Sequence, residues 1–261
     1  MSLQLSADKI RGLLPQAWAD IDIDLYEEID STNMQARRDL QAGLYRPKLI
    51  VAGGQTAGRG RRGKSFYSPK EKGIYMTLVL QPTLPLQQGL RITAAVAVAV
   101  CEALQPFSQE KLGIKWVNDI YKADKKICGI LTEGISDFEQ GVLKSVIIGI
   151  GINLFSQEFP EDLPVAGTLC AAETVSREEV IAAVAKKVLK SIADLENPQL
   201  MHKYREYSIL LGQPIRYEYN GVTRDAVALD IDEDGGLIIQ DRDGNRHILN
   251  SGEVTVRKDT R

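Results

Sequence analysis

The sequence predicts a mixed α/β core followed by a small all-β barrel. Three observations predict it. Short apolar strands alternate with helical stretches as far as residue 211. The segment 90–104 is rich in Ala and Val and apolar nearly all round, the mark of a buried helix. The texture then changes: five short strands alternate with the turn signals Asn220-Gly221, Asp234-Gly235-Gly236 and Asp243-Gly244-Asn245. That pattern suits a small barrel. The expected partition is a helical segment over 1–22, a core over 23–210 and the barrel over 211–261.

Each element has its own signal. Residues 7–14 read as a short helix with Ser6 as N-cap. Alternation over 21–26 predicts the first strand. Ser31-Thr32-Asn33 offers several cap candidates, and a helix runs from there to Gly43, a C′ glycine. Residues 48–52 and 74–80 read as apolar strands. Further strands are expected over 113–117, 126–133 and 145–150. An amphipathic helix spans 177–195, with Ser176 and Glu179 spaced as a capping box. Between 53 and 73 lies a Gly/Arg/Lys/Ser stretch without hydrophobic periodicity. A run of that length inside a compact core is functional or disordered.

Composition excludes several classes. Hydrophobic residues make up 44% and charged residues 26%, the usage of an ordinary soluble globular protein. The longest apolar run, 94–101, is too short to span a bilayer. No signal peptide reads at the N-terminus. Cys101, Cys128 and Cys170 lie far apart in apolar surroundings, which suits buried core thiols and a reducing cytoplasm rather than a disulfide framework. His202 and His247 lack metal-like neighbours. The net charge of -3 gives no support for a dedicated DNA-binder.

The loop Gly58-Arg59-Gly60-Arg61-Arg62-Gly63-Lys64-Ser65 satisfies two phosphate-binding patterns at once, GxGxxG and GxxxxGK[ST]. Both need a helix directly after the loop, because its N-terminus helps to hold the phosphate. Residues 66–73 contain Pro69 and Gly73 and have no amphipathic face, so neither pattern has its context. Four cations within six residues on a glycine-rich backbone still make an anion clamp. A solvated basic loop, or one that touches nucleic acid, is the plainer reading of these residues alone.

Further polar groups sit beside apolar strands. Ser31, Thr32 and Asn33 present hydroxyls and an amide, or serve as an ordinary cap. Gln55 lies just past a strand. Lys115-Trp116-Val117-Asn118-Asp119 ends another with a cation, an amide and a carboxylate. Lys126 opens an apolar strand, so its stem can be buried while its ammonium faces a cleft, or it guards a sheet edge. Gly149-Ile150-Gly151-Ile152-Asn153 lets backbone approach a ligand, or marks a kink or bulge.

Five segments, in order, resemble the biotin protein ligases. They are Asp30-Ser31-Thr32-Asn33, Gln55 to Gly63, Lys115-Trp116-Val117-Asn118-Asp119, Lys125-Lys126-Ile127-Cys128-Gly129-Ile130-Leu131, and Gly149-Ile150-Gly151-Ile152-Asn153. The resemblance covers residues 23 to 256. One motif departs from the family's KWPND pattern, with Val117 in the proline position. The resemblance implies an α+β fold, a mixed sheet backed by helices, related to the class II aminoacyl-tRNA synthetases and followed by an SH3-like barrel.

It also implies a two-step reaction. The carboxylate of biotin attacks the α-phosphate of ATP, giving biotinyl-5′-adenylate and pyrophosphate. A lysine of a biotin carboxyl carrier protein domain, of acetyl-CoA carboxylase type, then attacks the mixed anhydride. Both first-step reactants are anions, so charge must be neutralised before they meet. By resemblance and chemistry together, Ser31, Thr32, Asn33 and Gln55 bind the ureido head of biotin, with Arg59, Gly60, Arg61 and Lys126 completing its slot. Arg59, Arg61 and Lys126 are the catalytic candidates. Arg59, Arg61, Lys64, Lys115, Asn118, Asp119, Lys126 and Asn153 face ATP or the adenylate. Mg²⁺ is expected with ATP, held mainly by phosphates and by Asp119.

The loop over 53–72 is expected to order on ligand binding. The 22 residues before the core are too few for a helix-turn-helix domain, so no operator DNA binding is expected. A homodimer through the catalytic sheet is the assembly that the resemblance suggests. Two other classes stay open from sequence: a lipoate or octanoyl ligase on the same core, and a non-enzymatic nucleic-acid-binding regulator.

Overall fold

The computed structural model describes residues 5–82, 84–137, 139–171, 175–219, 221–250 and 255–258. The turn signal at Asn220 lies outside them. The chain opens with helix α1 (Ala7–Leu13), whose cap Ser6 accepts from the Lys9 N–H at 3.2 Å. Strand β1 (Asp22–Tyr26), helix α2 (Thr32–Gln41) and strand β2 (Lys48–Ala52) form one crossover unit, so β1 and β2 pair in parallel. Among the described residues every other pairing between the strands of this sheet is antiparallel. Strand β3 (Gly73–Leu80) follows, then the two-residue β4 (Leu84–Pro85) and the helix α3 (Gly89–Leu104). Strands β5 (Leu112–Lys115), β6 (Asp119–Lys122), β7 (Lys125–Asp137) and β8 (Val142–Asn153) complete the sheet in the order β1-β2-β3-β8-β7-β6-β5, with β4 on β8.

The sheet has two unequal layers. Odd and even residues of a strand face opposite ways. Leu49, Val51, Ile74, Met76, Leu78, Ile148, Ile150 and Ile152 face the main core, shared with α3 and helix α4 (Arg177–Ala193). Helix α3 matches its all-round apolar sequence: twelve of its residues are buried. Continued to Phe107 it is long and apolar enough to cross a membrane, longer than the apolar run suggested. Here it is packed inside the protein instead. On the other face lies a smaller cluster, in which Ala36 and Leu40 of α2 meet Ile50, Val79 and Ile147.

Charge reinforces that second layer. Lys48 is 7% exposed and pairs with Asp24 at 2.9 Å and Asp39 at 2.8 Å. Burial alone would depress its pKa, but the two carboxylates outweigh burial and raise it. A strand and a helix are thereby pinned at the level where α2 meets the sheet.

Three elements escaped the sequence reading: the two-residue β4, β6 and α5. β6 forms a hairpin with β7 around Ala123, which sits at φ 50°. Helix α5 (Gln199–Tyr207) has too short and polar a pattern to stand out. One expected device is replaced: Ser176 precedes α4 without capping it and instead donates to Glu178 at 2.7 Å. All three cysteines are free and buried, and burial pushes the Cys101 thiol up to about 12.

The C-terminal strands are β9 (Pro214–Tyr219), β10 (Val222–Ile231), β11 (Leu237–Asp241), β12 (Arg246–Leu249) and β13 (Thr255–Lys258). They form an antiparallel sheet in the order β12-β11-β10-β9-β13. It is tied to the turn between β5 and β6 and to helix α5. Trp116 Nε1 donates to Gly235 O at 2.9 Å, and Arg205 Nε donates to Ile231 O at 2.7 Å.

Candidate active site

A cavity of about 1050 Å³ opens on the α2 face of the large sheet. Its floor is built from glycine. Gly149 and Gly151 of β8 lie beside Gly129 and Leu131 of β7 in regular pairing, so they mark neither a kink nor a bulge. A Cβ on Gly149 would fall 2.0 Å from Asn33 Oδ1, and one on Gly151 would fall 2.5 Å from the Phe66 ring. Bare backbone is therefore what lets α2 and the basic loop approach the sheet.

One end of the cavity is uncharged. Ser31 stands at the N-cap position of α2 but makes no side-chain cap bond; it lines the cavity. Gln55 Oε1 accepts from the Thr32 N–H at 2.9 Å, while its Nε2 donates to Ser68 Oγ at 3.0 Å. Thr77, fully buried in the middle of β3, has its hydroxyl 2.8 Å from Thr32 Oγ1 and 2.7 Å from Asn33 Oδ1. Asn33 Nδ2 donates to Glu133 at 2.9 Å, and Glu133 pairs with Arg37 at 2.6 Å.

The other end is cationic. Arg59, Arg61, Arg62, Lys64, Lys115 and Lys126 line it against the carboxylates of Asp119, Asp124 and Asp162. Lys126 lies 2.8 Å from Asp119. Its backbone is clamped, with its N–H on Val165 O at 2.7 Å and its carbonyl accepting from Gly167 at 2.9 Å. Arg61 donates to Asn118 Oδ1 at 3.1 Å, and Asn118 Nδ2 donates to Ile130 O at 2.6 Å. Burial lowers the Arg61 pKa, opposed by Asp119. Lys115 sits over the Tyr121 ring at 5.3 Å. Burial, with help from Asp119, pushes the Tyr121 hydroxyl up to about 12.

The basic loop is a small hairpin rather than a structureless run. Arg59 bridges Ser65, Gly60 N donates to Lys64 O at 2.7 Å, and Phe66 N donates to Gly58 O at 2.9 Å. Its tip places Arg62 at φ 57° and Gly63 at φ 73°. The chain then runs into a strand, not the helix that a phosphate-loop or dinucleotide fold needs.

Residues 25–153 match the biotin/lipoate A/B protein ligase family, and residues 210–257 match the biotin protein ligase C-terminal domain. The bifunctional ligase/repressor BirA of Bacillus spizizenii is 33% identical over 237 residues, 87% of this chain and 72% of that protein. The chain belongs to the biotin protein ligase family. The biotin–[acetyl-CoA-carboxylase] ligase of Mycobacterium tuberculosis is 26% identical, over 91% of this chain and 89% of that protein. The biotin protein ligase of Aquifex aeolicus, solved with biotin and ATP, superposes with a TM-score of 0.76 at 26% identity, covering 91% of this chain and 99% of that one.

In the ligase, Ser31, Thr32, Asn33, Gln55, Arg59, Gly60, Arg61, Lys64, Lys115, Asn118, Asp119 and Lys126 all line one cavity. Residues almost a hundred apart in sequence thus meet on one sheet face. Asn153 is not among the lining residues. It ends β8, is 5% exposed, and its carbonyl accepts from Leu169 N–H. The Trp116–Val117 peptide in the turn between β5 and β6 is cis. With valine there, Lys115, Asn118 and Asp119 still line the cavity. Sequence reasoning missed Phe66, Tyr75 and Tyr121, which supply apolar wall, and Thr77 and Glu133, which stand behind it. No motif signals the last two: Thr77 is a lone threonine inside an apolar strand, and Glu133 lies in the polar second half of β7, beside Thr132.

Proposed function

We propose that the ligase converts biotin and ATP to biotinyl-5′-adenylate in this cavity and transfers the biotinyl group to a lysine of a biotin carrier domain. One observation carries the reading: a single cavity joins an uncharged hydrogen-bonding end to a cationic end. A cyclic urea suits the first, and a carboxylate beside a triphosphate suits the second. The relatives support it. The Aquifex aeolicus structure contains biotin and ATP, and the Helicobacter pylori enzyme is described with biotinylated ATP.

The residues take their proposed roles from this placement. Ser31, Thr32 and Gln55 meet the urea head. Asn33 is engaged with Thr77 and Glu133, so it shapes that end. Phe66 and Tyr75 flank the apolar stem. Lys126 and Arg61 stand where a carboxylate oxygen forms its bond to the α-phosphorus. The α–β phosphoanhydride bond breaks there, and its electron pair leaves with pyrophosphate. In the second step the acceptor amine bonds to the acyl carbon, AMP departs and the ammonium proton is lost to solvent. No protein nucleophile is required. Among the described residues no group of three or more His, Cys, Asp or Glu could hold a metal ion. Mg²⁺ keeps several waters and binds through phosphates with one or two carboxylates, which fits Asp119 as its protein contact. When bound it offsets the triphosphate charge.

The partition proposed is a catalytic unit over 23–210 and a C-terminal unit over 211–261. The second unit braces the turn at Trp116 through Gly235. The acceptor is of the acetyl-CoA carboxylase type named for the relatives, and a homodimer through the large sheet is the proposed assembly.

Purified protein with biotin, Mg²⁺ and ATP is expected to release pyrophosphate and label a carrier domain, with lipoate or octanoate a poor substitute. Neither pyrophosphate nor label would defeat the reading, and preference for lipoate would move it to the sister activity. A second expectation follows from the floor. Gly149→Ala forces Asn33 away from Thr77, so biotin affinity should fall at least tenfold, on the order of one or two hydrogen bonds. Gly12→Ala, where a Cβ meets nothing within 4 Å, is the control. Calorimetric titration of both variants checks this, and equal affinities would refute the steric account.

A further inference from the structure

The hydrogen bonds behind the uncharged end have a direction, and one half-buried carboxylate sets it. Glu133 lies on β7 outside the cavity lining, its side chain 13% exposed. A carboxylate can only accept. It receives Arg37 Nη2 at 2.6 Å and Asn33 Nδ2 at 2.9 Å, and Leu131 O also faces that nitrogen at 3.5 Å. Two acceptors on one side fix which way the Asn33 amide points.

Asn33 Oδ1 must then face Thr77, and it accepts the only proton that the Thr77 hydroxyl has. Thr77 Oγ1 has none left for Thr32, so across the 2.8 Å between the two hydroxyls Thr32 is the donor. The other neighbour of the Thr32 hydroxyl, Gln55 Oε1 at 3.2 Å, is also an acceptor, held so because Gln55 Nε2 donates to Ser68. Either way the Thr32 proton is spent inside the protein. Its lone pairs are what it offers the cavity.

We propose that Glu133 is a positioning residue for ligand specificity: through Asn33 and Thr77 it holds the Thr32 hydroxyl as an acceptor facing the cavity, selecting a ligand that brings an N–H donor to that end. This rests on the biotin reading above. Biotin's cyclic urea carries such N–H groups. A dithiolane ring or a plain acyl chain carries none and would leave the acceptor unsatisfied. Discrimination of this kind, by a buried polar group left without its partner, is stronger than discrimination by size.

Glu133→Gln removes the direction at constant shape. Its amide nitrogen can donate to Asn33 Oδ1, which turns the Asn33 amide and sends the Thr77 proton to Thr32. The Thr32 acceptor is then partly used up. The expected result is a rise of roughly fivefold to tenfold in the KM for biotin, the scale of one neutral hydrogen bond, falling on biotin rather than on ATP or kcat. Adding Asn33→Asp to Glu133→Gln supplies an acceptor-only group facing both Thr77 and the new amide, and should recover most of the biotin affinity.

The wild-type protein gives an independent measurement. A cyclic carbamate analogue, with ether oxygen in place of one ureido N–H, should bind at least tenfold more weakly than biotin, and that ratio should shrink in Glu133→Gln. The inference is overturned if Glu133→Gln binds biotin like the wild type, if the double variant recovers nothing, or if the wild type does not distinguish the carbamate. A wild type that binds no biotin would instead defeat the function proposed above. Should either variant fail to fold, the carbamate comparison on the wild type still decides whether the pocket presents an acceptor.

Discussion

Lys126→Ala is expected to slow adenylate formation by roughly 10²–10³-fold, the effect typical of removing one preorganised group from developing charge. The reason is rigidity. Both backbone polar groups of Lys126 are tied to the 165–167 segment, and its ammonium is paired with Asp119 at 2.8 Å. A cation fixed before reaction costs nothing to reorganise as charge builds on the α-phosphate. Removing it also takes from the Asp119 carboxylate its ion-pair partner, leaving a negative charge offset only in part by Arg61 where anions enter, which adds to the loss. Single-turnover pyrophosphate release measures the step. Normal release with failed carrier labelling would assign Lys126 to the second half-reaction instead.

Arg61→Gly is expected to fail differently, with adenylate still made but poorly retained. Arg61 joins the hairpin tip to the turn between β5 and β6 through Asn118. Its side chain is partly buried, more enclosed than a freely swinging clamp would be. Losing it removes both a cation and the strap that holds the loop across the cavity. A latch acts mainly on dissociation. Adenylate release should therefore quicken by about tenfold or more, the scale of a lost charged hydrogen bond, and the freed mixed anhydride should label lysines beyond the carrier. Formation and release measured side by side in both variants check the division. Equal loss of formation with unchanged release in both would show that the two residues share one role.

Much of the architecture was legible because it follows from local chemistry. The alternation at β1, the continuous apolar run of β3, the all-round apolar α3 and the Asp-Gly turns of the C-terminal sheet each follow from periodicity or turn geometry. β6 and α5 were not legible. β6 is four residues long and starts at Asp119, inside a motif read as a strand end. α5 is a polar helix whose burial of Leu200, Met201 and Tyr204 depends on where α3 lies.

The site divides along the same line. Its charged and glycine-rich residues announced themselves in sequence because anion chemistry needs those residue types. Their meeting in one cavity, the exclusion of Asn153 from its lining, and the hairpin form of the basic loop were decided by packing on the sheet. So was the direction of the Glu133–Asn33–Thr77–Thr32 hydrogen bonds, which join residues 100 positions apart. A sequence states which groups can donate and accept. Only the folded chain places two acceptors beside one amide, and that placement sends the Thr77 proton to Asn33 and keeps the Thr32 proton inside the protein.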